Sequence, residues 1–144
     1  MADQYPLTVF HFRVDWGAET VSFTEVSGLT QELQPIDYRV GDSQDYSMVK
    51  MPGLRKYNNI TMKRGMVRGN NEFFTWLNSV KQNNIERRDI IVNLLNEDNA
   101  PVMVWTVKNA FPVKVEGPGL KASGNEVSVE SIEVAHEGLT LVAI

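Results

Sequence analysis

Residues 87–114 read RRDIIVNLLNEDNAPVMVWTVKNAFPVK, and this stretch decides the fold class. It divides into runs at 87–96, 102–108 and 111–116, rich in aliphatic, β-branched and aromatic residues, with the turn-forming Asn96 to Pro101 between the first two. The runs read as strands. Segment 102–107 is apolar on both faces, with Val102 and Val104 on one and Met103, Trp105 and Val107 on the other, and 90–95 behaves likewise. Such strands need cover on both sides. One face meets the core, and part of the other is expected to meet another subunit, because large exposed apolar patches usually mark interfaces.

Outward from this stretch the dominant period is two. Residues 5–14 place Phe10, Phe12 and Val14 on one face with Leu7 and Val9 on the other, and 20–27 place Val21 and Phe23 in one phase. Further strands are expected at 33–40, 57–65 and 125–137, with turns at Gly41-Asp42, Pro52-Gly53 and Gly117-Pro118-Gly119. Two strands break their own alternation: Val127 and Val129 oppose Ile132 and Val134 in phase, and Val21 and Phe23 oppose Val26. A β-bulge or sharp bend explains both, since one extra residue flips every later side chain.

One segment alone has a helical period. Phe73, Trp76, Leu77 and Val80 fall at i, i+3, i+4 and i+7, which predicts a helix over about 71–82, capped by Asn70 or Asn71 and ended by Asn83-Asn84. A single helix cannot supply the crossovers of a parallel sheet. The expected fold is therefore mainly β: an antiparallel β-barrel or two packed sheets, one short helix and a long loop at 41–57, in a single domain spanning 1–144.

The chain has 144 residues, 42% of them apolar, with 14 Lys plus Arg, 18 Asp plus Glu, no Cys and a net charge of -4. A chain this long buries roughly 68% of its unfolded surface, enough for a core without staples. The missing thiol excludes disulfides, Cys-ligated zinc, iron–sulfur clusters and a Cys nucleophile. The mild acidity argues against a dedicated nucleic-acid binder. The N-terminus lacks the charge pattern of a secretory leader, which predicts a product made in the cytoplasm, and no apolar run is long enough for a membrane-spanning helix.

Catalytic chemistry finds little support. His11 and His136, the latter flanked by Glu133 and Glu137, read as solvated or locally paired side chains on strands. GPGLKA at 117–122 has dinucleotide-motif spacing, but its Pro118 and the strand-like sequence after it argue for a turn. Asp37, Asp42 and Asp45 match no calcium loop. The expectation is no enzyme activity, no cofactor and no metal. A β-barrel binding a small ligand is the alternative from a different class, and no convergent polar groups predict its pocket.

Two features point to self-assembly. From Tyr46 to Asn71 there are six basic residues and no acid, whereas Glu116 to Glu137 holds five acids and only Lys121; if these regions lie at opposite ends, copies can stack head to tail. Segment 41–57, GDSQDYSMVKMPGLRKY, is a long connection with scattered apolar residues that need something to pack on.

Taken in order, FTEVSGL (23–29), MPGLRKYNNITMKRG (51–65), FFTWL (73–77), the 87–114 stretch and NEVSVESIEVAHEGL (125–139) resemble the tail tube protein family of contractile-tailed phages and phage-like contractile injection systems. The resemblance implies a non-enzymatic inner tube subunit, forming hexameric rings that stack into a hollow tube inside a contractile sheath. Its implied partners are further copies of itself, the sheath protein, baseplate or tube-initiator and terminator proteins, and DNA or protein cargo in the lumen. A tube-initiator paralogue or a type VI-like tube protein shares the fold. The long loop commonly contacts neighbouring rings in this family, which maps the contact onto Met48, Val49, Lys50, Met51, Leu54, Arg55, Lys56 and Tyr57, with the Pro52-Gly53-Leu54 turn at its return. Where the family often carries Trp before Pro-x-Lys, this chain has Phe111.

Overall fold

A computed structural model describes residues 7–8, 11–16, 19–39, 41–42, 49–66, 68–80 and 84–144. The chain runs β1 (Phe12–Trp16), β2 (Glu19–Val21), β3 (Glu25–Ser27), β4 (Gln31–Tyr38), β5 (Val49–Tyr57), β6 (Ile60–Gly65), α1 (Glu72–Ser79), β7 (Arg88–Leu95), β8 (Pro101–Glu116), β9 (Val129–Ala135) and β10 (Gly138–Ala143). All pairings are antiparallel, in the order β2-β1-β7-β8-β9-β6-β3, with β10 also on β8. β2 and β3 end this path without pairing to each other, so the sheet is folded over rather than closed as a barrel.

The fold-over happens within β8. Its first half pairs with β7 on one side and β10 on the other; its second half, Phe111 to Glu116, pairs with β9. What the sequence presents as two strands, 102–108 and 111–116, is one strand of 16 residues. Asn109 sits between them at φ 53°, a left-handed conformation that Asn tolerates better than most residues. Asp89 accepts the Asn109 backbone N–H at 3.0 Å, and the Asn109 amide donates to Glu137 at 2.9 Å, so the bend is held from both flanks.

The bulges that broken alternation predicts lie elsewhere. β9 pairs with β6 in unbroken register, and the extra residue is in β8, between Pro112 and Lys114. Val127 and Val129 face out, while Ile132 and Val134 are buried. The change of phase at 20–27 is a true break: β2 belongs with β1, β3 with β6, and the chain crosses from one sheet to the other between them. The expected strand 5–14 is strand from Phe12, with 1–6, 9 and 10 outside the described residues, and it extends to Trp16, a core residue. β10 was not legible as a strand.

Between the sheets lie Val14, Trp16, Ile90, Val92 and Val107 from one side and Ile60, Met62, Ile132 and Val134 from the other. The helix closes one end. Phe73 and Trp76 of the expected stripe are fully buried and Leu77 and Val80 partly so. Trp16 stacks on Phe73 at 5.6 Å and meets Trp76 edge-on at 4.6 Å, and Trp76 Nε1 donates to the Glu86 carbonyl at 2.9 Å. The helix is shorter than 71–82: Val80 is already extended, and 81–83 are outside the described residues. Asn71 is the N-cap without a side-chain bond; Asn70 Oδ1 accepts the Glu72 N–H instead, at 3.1 Å.

One buried charge pair ties these layers together. Arg64 of β6 donates to Glu130 of β9 at 2.8 Å with both side chains more than nine-tenths buried, reaches Asn70 at 3.2 Å, and lies 3.9 Å above the Phe73 ring. Replacing Glu130 by Leu leaves the Arg64 charge buried without its carboxylate and should cost about 3–5 kcal/mol. Trp76→Ala should cost about 3–5 kcal/mol through the cavity it opens. Chemical denaturation of the two variants measures both.

Candidate assembly interface

The β3–β6 ladder ends at Ser27 opposite Thr61 and resumes as β4–β5 at Gln31 opposite Tyr57. Between them the two chains kink at 28–30 and 58–59. Gly28 has φ +91°, and a Cβ on it would collide with the carbonyl oxygen of Asn59, so only glycine lets the chains pass this closely. His136 braces the kink from the β9–β10 corner, with Nε2 3.0 Å from the Asn58 oxygen, Nδ1 3.2 Å from the Gly138 oxygen, and its ring tilted against Tyr57.

Beyond the kink, β4 and β5 pair, among the described residues, only with each other as a two-stranded arm. Cross-strand partners share a face, so Ile36 with Met51 and Tyr38 with Val49 form an apolar surface, and an extra residue in β5 after Pro52 shifts the alternation so that Leu54 and Lys56 continue it. The opposite face carries Leu33 with Arg55, Pro35 with Pro52 and Asp37 with Lys50. Every residue of β4 is exposed, and Leu54 is 81% exposed. An isolated two-stranded hairpin is marginally stable in water. This arm needs a partner.

The expected loop 41–57 is thus largely strand. Pro52-Gly53-Leu54 does not turn: Pro52 pairs opposite Pro35, and β5 carries one extra residue between Pro52 and Arg55. A Cβ on Gly53 would overlap the Gln34 carbonyl oxygen, so a bulge with a bare backbone stands where a Pro-Gly pair usually signals a turn. Val49, Lys50, Met51, Leu54, Arg55 and Lys56 come together on exposed β5, and Met48 lies outside the described residues. Tyr57 is half-buried at the root. Lys50 pairs with Asp37 at 2.9 Å, an exposed contact worth about 0–1 kcal/mol. Sequence reasoning missed Leu33, Ile36 and Tyr38 as interface residues; their signal was a strand, 33–40, with no core to face.

The charge partition does not separate to opposite ends. Basic β6 lies beside acidic β9, where Arg64 meets Glu130, and Lys63 pairs with Glu25 at 3.6 Å. Of the six basic residues, only Lys50, Arg55 and Lys56 stand out on the arm.

The chemical candidates do not converge. The His11 backbone carbonyl accepts the Leu95 N–H at 2.9 Å, Asp37 lies in β4, and Asp45 is outside the described residues. Residues 117–122 lead into a turn closed by Gly124 N–H to the Lys121 oxygen at 3.0 Å. Among the described residues no three His, Asp or Glu side chains group as metal ligands, and no helix is long and apolar enough to cross a membrane.

A family model described as T4-like virus tail tube protein gp19 matches residues 8–140. A chain of the PVC sheath–tube complex of an extracellular contractile injection system, in the extended state, is 35% identical with a TM-score of 0.91, covering 99% of this chain and 95% of that one. A chain of the anti-feeding prophage (AFP) tube terminating cap is also 35% identical, with a TM-score of 0.90 over 98% of this chain and 93% of that one. Hcp1 from Flavobacterium johnsoniae shares the fold at 18% identity, with a TM-score of 0.63 over 93% and 96%. No curated protein sequence matches the chain.

Because the arm pairs only with itself, Gly53→Val should disturb it alone. Amide hydrogen exchange across 31–38 and 49–57 is expected to accelerate while β7 and β8 keep their protection; loss of protection in both regions together would show that arm and body are one cooperative unit.

Proposed function

This chain belongs to the T4-like virus tail tube protein family, and from that we propose that it is a structural subunit, without enzymatic activity, that closes into six-membered rings and stacks them into the hollow inner tube of a contractile particle. The particle is a phage tail or an extracellular contractile injection system. The reading names as partners other copies of the chain, a contractile sheath around the tube, baseplate or initiator proteins at one end, a terminator at the other, and DNA or protein cargo in the lumen.

One observation carries this reading beyond family membership. The subunit extends an arm whose apolar face, built from Ile36, Tyr38, Val49, Met51 and Leu54, stays exposed, with no strand among the described residues paired to it beyond its own two. An arm that docks on a different surface of the next copy makes a heterologous contact, and repetition of such a contact generates rings or open stacks. An end subunit that caps the tube is the second reading, supported by the equal identity to a chain of a terminating cap.

Electron microscopy of the purified protein, alone and coexpressed with baseplate proteins, tests the proposal. Rings or tubes are expected; monomers alone at high concentration in both conditions would refute it. Leu54→Asp and Lys56→Glu should each abolish or shorten tubes while leaving the circular dichroism spectrum unchanged. Full-length tubes from both variants would remove the arm from the stacking contact.

A further inference from the structure

Among the described residues the core is complete at one end of the sandwich and open at the other. On the inner face of the β1–β7–β8–β10 sheet, successive rows read Trp16, Ile90, Val107 and Leu139, then Val14, Val92, Trp105 and Leu141, then Phe12, Leu94, Met103 and Ala143. The helix covers the first row. Burial falls along the rows, until Phe12, Leu94 and Met103 are only partly covered and Leu141 is half exposed. Here the sheets part around a cleft of about 380 Å³, walled by Phe12, Val26, Leu29, Val92, Leu94 and Trp105, with Thr24 and Glu25 at its rim.

We infer that this cleft is the acceptor for the β4–β5 arm of a second copy, which inserts Met51 and Leu54 between Trp105 and Leu29 and so finishes the neighbour's core. The inference rests on the self-assembly reading above and names the surface that receives the arm. Three observations single out this occupant. The cleft is apolar and large enough for two or three long aliphatic side chains, and the arm presents such side chains without cover. β3, which forms one wall, pairs among the described residues with β6 alone, so its other edge offers backbone groups to an incoming strand. Glu25 is the one acid at the rim, and on the arm Leu54 is followed by Arg55 and Lys56. Kinked at Gly28, the arm pairs with no other strand among the described residues and touches the body at its root, where Tyr57 meets His136, which leaves its outer part free to meet a second copy.

The absence of cysteine makes a crosslinking test clean. Met51→Cys and Leu94→Cys are purified separately, mixed under assembly conditions and oxidised. A disulfide-linked heterodimer should form as the main product only in the mixture, since a disulfide requires Cα atoms within about 7 Å. Val26→Cys replaces Leu94→Cys if the latter loses its cooperative unfolding transition. In parallel, assembly of the unmodified chain should shift tryptophan emission to the blue, and Trp105→Phe should remove most of that shift, because Trp16 and Trp76 are already buried in the free subunit.

Tubes that form with neither heterodimer nor Trp105-dependent shift would overturn the acceptor assignment while leaving tube formation intact. A Met51→Cys/Leu94→Cys double variant that links only within one chain would assign the cleft to the subunit's own arm, and a shift that survives Leu54→Asp would assign it to another segment; either result overturns the inference. Failure of every form of the protein to assemble would instead refute the self-assembly reading on which it rests.

Discussion

The structure depends on the bend in β8. One strand of 16 residues serves both sheets, so the sandwich has no independent halves: moving the bend by one residue would flip every later side chain and expose the face that pairs with β9. Asn109 makes the bend possible because it accepts a positive φ, and Asp89 and Glu137 hold it there. β9 and β10 follow the same corner on one flank, breaking at His136-Glu137, so two strands turn together. Glu137 joins the bend to Arg87, which lies over Phe111 immediately past it.

Packing then divides the subunit into an end that is finished and an end that is not. At the helix end, Trp16, Phe23, Phe73 and Trp76 form a contiguous ring cluster, and Arg64 with Glu130 brings a satisfied ion pair into its margin. A buried pair of this kind adds less to stability than to specificity, because desolvating both charges offsets most of their attraction. Its geometry here fixes β6, β9 and the start of the helix relative to one another. The opposite end has no helix among the described residues, and the cleft follows from that lopsided cover.

The sequence was most legible where local pattern and tertiary environment agree. The stripe at Phe73 and Trp76, the paired strands at 88–95 and 101–108, and the packed-sheet class all follow from period and turn chemistry alone. Other elements were hidden by competing signals. Pro52-Gly53 reads as a turn, but a bulge absorbs both residues and keeps β5 extended. Asn109 reads as a strand end, yet the backbone only bends there. In β10, Leu141 and Val142 are adjacent and both half exposed, so alternation is lost. The charge partition was real along the chain but misleading in space, because antiparallel pairing set basic β6 against acidic β9. Of the interface, β5 was visible as apolar residues without a core, while β4 and the cleft were not, since they arise from pairing and from uneven cover.

A subunit arranged in this way couples assembly to its own completion. The arm buries almost nothing alone and has only its own ladder to hold it, so its order is worth little until the apolar face is covered. Docking one arm covers two surfaces at once, the arm of one copy and the open core of the next, and each newly seated copy presents a fresh arm and a fresh cleft. Because the two surfaces differ, each seated copy still offers an arm or a cleft wherever the arms are not exchanged reciprocally, and the contact then propagates until it closes on itself or is capped. On this reading the surface that the described residues leave uncovered, the arm face and the open end of the core, is the surface that a second copy covers.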